Sequence, residues 1–158
     1  MNKLKIYLLI HKKELDRKTS TSIVVKSVLK ERSETIVWER TKPDPRFATE
    51  LMVEDTVLVY KDESGISAQE LGEIKNFILL EGTWQEARKI YNRSPYLKKF
   101  RVLSINSECK SEYKLRRNQV EAGLSTAEAV IEILRYKGEN GTATDLYEAF
   151  SGFQVAVY

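Results

Sequence analysis

Apolar residues along the chain fall into two alternating kinds of segment: short unbroken runs, and longer stretches where they recur every three or four positions. Lys5 to His11 (KIYLLIH) is the first run, rich in strand formers. The Thr19-Ser20-Thr21-Ser22 cluster then opens an apolar-periodic segment ending near Leu29, so the opening predicts strand, loop, helix. Thr35 to Trp38 predicts a second strand, and Pro43-Asp44-Pro45 keeps a helix from running through the loop after it. Asp55 to Tyr60 (DTVLVY) predicts a third, buried strand. Asp62-Glu63-Ser64-Gly65 is turn chemistry, Ser67 to Leu71 suits a short helix, and Asn76 to Leu80 (NFILL) predicts a fourth strand.

From Thr83 the period changes, with Trp84, Ala87, Ile90 and Tyr91 on one helical face and Pro95 beyond its end. Phe100 to Ile105 (FRVLSI) predicts a fifth strand, followed by a polar, basic connection from Asn106 to Arg117. Ala127, Val130, Ile131 and Leu134 then mark the clearest helix, with Gly138 as its stop. Thr142 to Tyr158 alternates ambiguously, although Leu146, Ala149, Phe150 and Phe153 suit a helix. Strands alternating with helices predict an α/β fold, a mainly parallel sheet flanked by helices on both faces. Ligands of such sheets bind beyond the carboxyl ends of the strands. No internal repeat or low-complexity linker interrupts the chain, so residues 1–158 are read as one domain.

The length of 158 residues and 42% hydrophobic content suit a single packed core. No apolar run approaches the roughly 20 residues of a membrane span. The opening Met1-Asn2-Lys3-Leu4-Lys5 lacks the pattern of a secretory signal, which predicts a cytoplasmic protein. The single cysteine, Cys109, can form neither an internal disulfide nor a multi-thiolate zinc site, so no metal is expected. The net charge of +3 conceals an uneven distribution: residues 1–32 carry nine Lys/Arg against three Asp/Glu, and residues 84–117 carry ten against three. Segments 33–83 and 118–158 are acidic, at −6 and −4. Two basic blocks fit a polyanion partner, and they equally fit ordinary solvated faces.

Two junctions between strands or loops and helices concentrate polar chemistry. Leu80-Glu81-Gly82-Thr83-Trp84 takes a buried strand into a helix through a carboxylate and a glycine, and Thr83 with Glu86 has capping-box spacing. Gly123-Leu124-Ser125-Thr126-Ala127-Glu128 repeats that spacing with Ser125 and Glu128. Each helix start would present oriented N–H groups suited to a carboxylate or phosphate, although ordinary capping explains the spacing as well.

In order along the chain, Glu81-Gly82-Thr83-Trp84, Ser111-Glu112-Tyr113-Lys114-Leu115-Arg116 and Leu124-Ser125-Thr126-Ala127-Glu128-Ala129 resemble the three motifs of the DTW-domain family. The opening His11-Lys12-Lys13-Glu14-Leu15-Asp16-Arg17 with Thr19 to Thr21 is similar to that family's His-x-x-Glu-x-x-Arg loop and Thr-rich helix start. The resemblance runs from about Ile6 to Tyr136. It implies a SPOUT-type fold with a knotted cofactor pocket. Three departures accompany it. Glu81 stands where the family carries Asp, Tyr60-Lys61-Asp62-Glu63 stands where a Tyr-Pro turn is usual, and the N-terminal cysteine cluster of many members is absent from this sequence.

The resemblance also implies a reaction: transfer of the 3-amino-3-carboxypropyl group of S-adenosylmethionine to a uridine nitrogen in tRNA. Glu81 would act as general base or would only orient RNA or the turn. Thr83 and Trp84 would hold that turn, Trp84 being either a buried anchor or a base-stacking platform. The cofactor would lie among Leu58, Tyr60, Leu80, Tyr113, Leu124, Ser125, Thr126, Ala127 and Glu128, where Leu58, Leu80, Leu124 and Ala127 either enclose the methyl group or belong to the core. RNA phosphates would meet Arg88, Lys89, Arg93, Arg116 and Arg117, with Arg17, Lys18 and His11 as a second edge. Two alternatives remain at this level, a non-catalytic RNA-binding relative and a methyltransferase on the same fold. The chain shows no apolar surface stripe that demands a partner copy, so monomer and homodimer are both open.

Overall fold

The computed structural model describes residues 4–12, 21–60, 72–81, 84–103 and 126–157, with Trp84 and residues 154–157 described by their backbone alone. Five strands, β1 (Lys5–His11), β2 (Ser33–Trp38), β3 (Thr56–Val59), β4 (Asn76–Leu80) and β5 (Arg101–Leu103), form one sheet. Every pairing is parallel and the order is β2-β1-β4-β3-β5. The inner strands are apolar on both faces: Ile6 to Leu9 and Phe77 to Leu79 are at most 4% exposed. A strand with neighbours on both sides and helices over both faces has no polar face to offer. The edge strands are more exposed, and on β2 only Ile36 is fully buried.

Alternation along the strands divides the core in two. Leu8, Phe77, Leu79, Val57 and Leu103 face a layer made by α1 (Ser22–Leu29), α4 (Thr126–Tyr136) and α5 (Asn140–Val157). Tyr7, Leu9, Ile36, Ile78 and Leu58 face the other way, against Phe47 of α2 (Arg46–Thr49), Ile90 of α3 (Trp84–Asn92), Leu97 and Phe100. Each fully buried Leu, Ile or Phe contributes roughly 1.5–3 kcal/mol through removal from water. From β1 the chain leaves through α1 towards β2, and from β4 it leaves through α3 towards β5, across the opposite face. The carboxyl ends of β1 and β4 are therefore a topological switch point, where a doubly wound sheet opens a crevice.

Gly138 ends α4 in the left-handed region at φ +80°, where a side chain would be strained. Its N–H donates to the Arg135 carbonyl (3.0 Å) and the Glu139 N–H to the Leu134 carbonyl (2.8 Å), closing a Schellman motif before α5 begins.

The α/β class and the parallel sheet read from the sequence are those observed, and several boundaries move. Only Thr56 to Val59 of the third predicted strand is extended. Asp55 belongs to a 3-10 turn, Val53–Asp55, and Tyr60 lies past the strand although its N–H still reaches the Leu103 carbonyl (3.2 Å). Strand β2 starts at Ser33, and α5 starts at Asn140, because the Schellman turn reverses the chain earlier than the apolar pattern reveals. The fifth strand begins at Arg101, since Phe100 turns its ring into the α2/α3 core. The loop after Pro43 holds the short α2, which the sequence reading did not contain. Asp44 starts it by accepting the Arg46 N–H on its carboxylate (2.9 Å) and the Phe47 N–H on its carbonyl (3.1 Å). Pro95 lies past α3 as expected, in a 3-10 turn of its own, Pro95–Leu97. The helix expected at Ser67 to Leu71 and the knotted pocket, which rests on the connection 104–125, lie outside the described residues.

Candidate functional site at the carboxyl edge of the sheet

Glu81 follows β4 directly, at the switch point. Its N–H donates to the Leu9 carbonyl of β1 (2.8 Å), carrying the sheet's hydrogen bonding one residue past the strand. By alternation with Phe77 and Leu79 its side chain falls on the α1/α4/α5 face, where the Thr126 hydroxyl donates to Glu81 Oε1. Glu81 is 2% exposed. A buried carboxylate is tolerated only where hydrogen bonds replace water. The next residue of α4 is held from another direction. Ala127 N–H donates to Thr21 Oγ1 (3.0 Å), and the Thr21 carbonyl accepts the Val24 and Val25 N–H groups (3.0 and 3.3 Å) that begin α1. The end of β4 and the starts of α1 and α4 thus converge through two polar contacts, Thr126 on Glu81 and Ala127 on Thr21.

The opposite face of the same edge is aromatic. His11 continues the parity of Tyr7 and Leu9, and its ring meets Trp38 at 5.5 Å between centroids. Trp38 Nε1–H donates to Ser94 Oγ (2.6 Å), and Ser94 is fully buried, so the indole is pinned between β2 and the end of α3. Burial pushes the Tyr96 phenol up, partly countered by its hydrogen bond with Ser94, which leaves it neutral at physiological pH. Tyr60, just past β3, stacks on Tyr91 of α3 at 4.4 Å, and Lys98 Nζ sits 5.6 Å from the Tyr91 ring.

The residues singled out from sequence are therefore distributed over two faces. Glu81, Thr126 and the half-buried Glu128 lie at the α4 start, with Ala127 fully buried in the core beneath. Leu58 is fully buried in the α2/α3 core, and Leu80 and Tyr60 pack against that core while remaining partly exposed. Arg88 and Lys89 are exposed on α3 and Arg93 is exposed just past its end, and Trp84 is the first residue of the helix. Thr83, Tyr113, Leu124, Ser125, Arg17, Lys18, Arg116 and Arg117 lie outside the described residues, and with them both capping boxes.

Sequence reasoning missed Thr21 as the partner of Ala127, although the Thr-rich helix start contains it. It also missed Trp38, Ser94 and Tyr91 as the props of His11 and Tyr60, for which no spacing gives a signal. Among the described residues no group of three or more His, Cys, Asp or Glu is arranged to hold a metal ion, and no helix is long and apolar enough to cross a membrane. An open cleft of about 450 Å³ between Leu4, Asp55, Ile74 and Lys137 lies at the amino edge of the sheet, the far end of the strands from Glu81.

A doubly wound parallel sheet with a buried carboxylate at its switch point, braced by two helix starts, defines an α/β protein whose polar groups gather at the carboxyl edge of its sheet. The chain belongs to the DTW domain family, whose match spans residues 1–157. It is similar to tRNA-uridine aminocarboxypropyltransferase 2 of Drosophila melanogaster, at 29% identity over 82 residues. That similarity covers 50% of this chain and 33% of the fly protein, so it spans about a third of that relative's length. No solved structure gives a significant match.

Proposed function

We propose that the chain, acting as one DTW-like domain in the cytoplasm, transfers the 3-amino-3-carboxypropyl group of S-adenosylmethionine to a uridine nitrogen of tRNA. The observation that carries this reading is the Glu81 carboxylate, held by Thr126 at the switch point of a DTW-family sheet. The name of the fly relative supports the reaction class, and the exposed cations of α3 support the partner. The described residues suit the donor's chemistry. Tyr60 and Leu80 present partly exposed apolar surface at strand ends, and the α4 start carries the half-buried Glu128 carboxylate, matching a molecule with an aromatic base at one end and cationic groups at the other. S-adenosylmethionine, when bound, supplies an electrophilic carbon next to its sulfonium and leaves as methylthioadenosine. Glu81 would accept the uridine N3 proton as that nitrogen attacks. The hold of Leu9 on the Glu81 N–H and of Thr126 on its carboxylate limits the directions from which its oxygen can meet the base.

A second reading, RNA binding without turnover, draws on the near-complete burial of Glu81 and on its replacing the family's Asp. One incubation separates them: purified chain, S-adenosylmethionine and unmodified tRNA, followed by mass analysis of nucleosides and spent donor. Methylthioadenosine with aminocarboxypropyluridine is the expected product pair. S-adenosylhomocysteine with a methylated base would assign methyl transfer instead, and tRNA binding without product would leave the second reading.

A further inference from the structure

We infer that Thr126 is a positioning residue for Glu81 rather than a contact to the donor, and that Thr21 sets the position of Thr126. This inference rests on the reading of Glu81 as the group that meets the uridine. Thr126 lies in a Leu-Ser-Thr-x-Glu-Ala segment at a helix start, where a ligand would ordinarily be sought among the hydroxyl and the first free amides. The hydroxyl and the Ala127 amide are already engaged. The single proton of the Thr126 hydroxyl goes to Glu81 Oε1, and the Ala127 N–H goes to Thr21 Oγ1.

The consequence is a chain of fixed parts. Thr21 is 3% exposed and anchored through its carbonyl to the first turn of α1, so its hydroxyl cannot drift. It fixes the Ala127 amide, which fixes the backbone beside Thr126. Thr126 then fixes one carboxylate oxygen of Glu81, whose own N–H is fixed to Leu9. Four segments of the chain determine where the second carboxylate oxygen points. A glutamate has one more rotatable bond than an aspartate, and the Thr126 hydroxyl removes the freedom that bond adds. This gives a physical reason for a glutamate to work where the family's usual acid is shorter.

Thr126→Val keeps the shape of the side chain and removes the donor, and Thr126→Ser keeps the donor. These variants, Glu81→Gln and the Thr126→Val/Glu81→Gln pair are assayed with tRNA and S-adenosylmethionine beside the unaltered chain, and donor affinity is measured by calorimetry. Thr126→Val is expected to lower kcat by roughly 10- to 100-fold, with KM and donor affinity changed by no more than a few fold. Thr126→Ser is expected to restore most of the rate. Thr126→Val should cost nothing further once Glu81 is glutamine. An unchanged kcat, a loss confined to KM or donor affinity, or no recovery with serine would overturn the inference. If the unaltered chain makes no product, the functional reading fails on its own account. Thermal melting of the unaltered chain, Thr126→Val, Glu81→Gln and the pair then decides this inference: non-additive shifts support the hold of Thr126 on Glu81, and additive shifts overturn it.

Discussion

The hydroxyl of Thr21 accepts the Ala127 N–H at 3.0 Å, joining two residues 106 positions apart and capping α4 from outside its own chain segment. Helix starts leave their first amides without intrahelical partners, and a residue of the preceding turn usually supplies one. Here the start of α1, its neighbour in the same helical layer, does so. Thr21→Val removes the acceptor at nearly constant volume and should cost about 0.5–2 kcal/mol of stability. Thr21→Ser should stay near the parent. Urea denaturation at neutral pH measures both, and equal midpoints for Val and Ser would remove Thr21 from any capping role.

Turnover should depend on the Glu81 carboxylate far more than on its shape. Glu81→Gln keeps the length and loses the base, so kcat should fall by roughly 10²- to 10⁴-fold while donor affinity stays within a few fold. Single-turnover assays with saturating tRNA report the chemical step. Full activity in the glutamine variant would leave Glu81 a purely structural residue.

Arg32 and Glu139 tie the turn before β2 to the start of α5. One guanidinium nitrogen reaches both carboxylate oxygens (2.8 and 2.7 Å), and Arg32 Nε donates to the Leu4 carbonyl (3.1 Å). The side chains are 17% and 23% exposed, which makes the pair more valuable than a surface ion pair. Arg32→Met should destabilise the chain by about 1.5–3 kcal/mol. A thermal melt with no measurable change would show that solvent already satisfies these groups.

Acid should weaken the α2 turn through Asp44. The Arg46 side chain, bonded at 2.9 Å to each carboxylate oxygen, holds Asp44 below the ordinary carboxylate range, with help from the Arg46 N–H. A depressed folded-state pKa adds stability above the unfolded value, and that stability disappears as pH falls through the folded one. The contribution should therefore be intact above about pH 4 and lost below it. Denaturation midpoints between neutral pH and strong acid should fall less steeply for Asp44→Asn than for the parent. Parallel curves would show that Asp44 contributes nothing to the acid transition.

The outer face and C-terminal end of α3 should contribute to tRNA affinity through phosphate charge. Arg88, Lys89 and Arg93 are exposed, and among the described residues none of them makes an ion pair. Replacing all three with Ala should weaken tRNA binding and reduce the slope of log affinity against log salt by about 2 to 3. Filter binding over a salt series measures it, and an unchanged slope would move the RNA to another surface.

The central strands were legible because burial on both faces leaves a continuous apolar run, and Asn76 to Leu80 was read to the residue. The helix face of Ala127, Val130, Ile131 and Leu134 was legible because a single buried stripe repeats with the helical period. Edge strands and short helices were read less well. Strand β2 has only one fully buried residue, and α2 depends on an Asp44 contact that no periodicity records.

By itself, the sequence determined the central strands and the α4 helix, that strands and helices alternate to build an α/β sheet, and that Glu81 and the 124–129 segment carry the family's motifs. These are local matters, written in propensity, period and residue identity. Only the tertiary structure decided that Glu81 and His11 leave the sheet on opposite faces, that Thr126 is turned onto Glu81, and that Thr21 caps α4. The strand order β2-β1-β4-β3-β5 sets those distances. Pairing between strands far apart in the chain follows from how the whole core closes, and no single segment contains it.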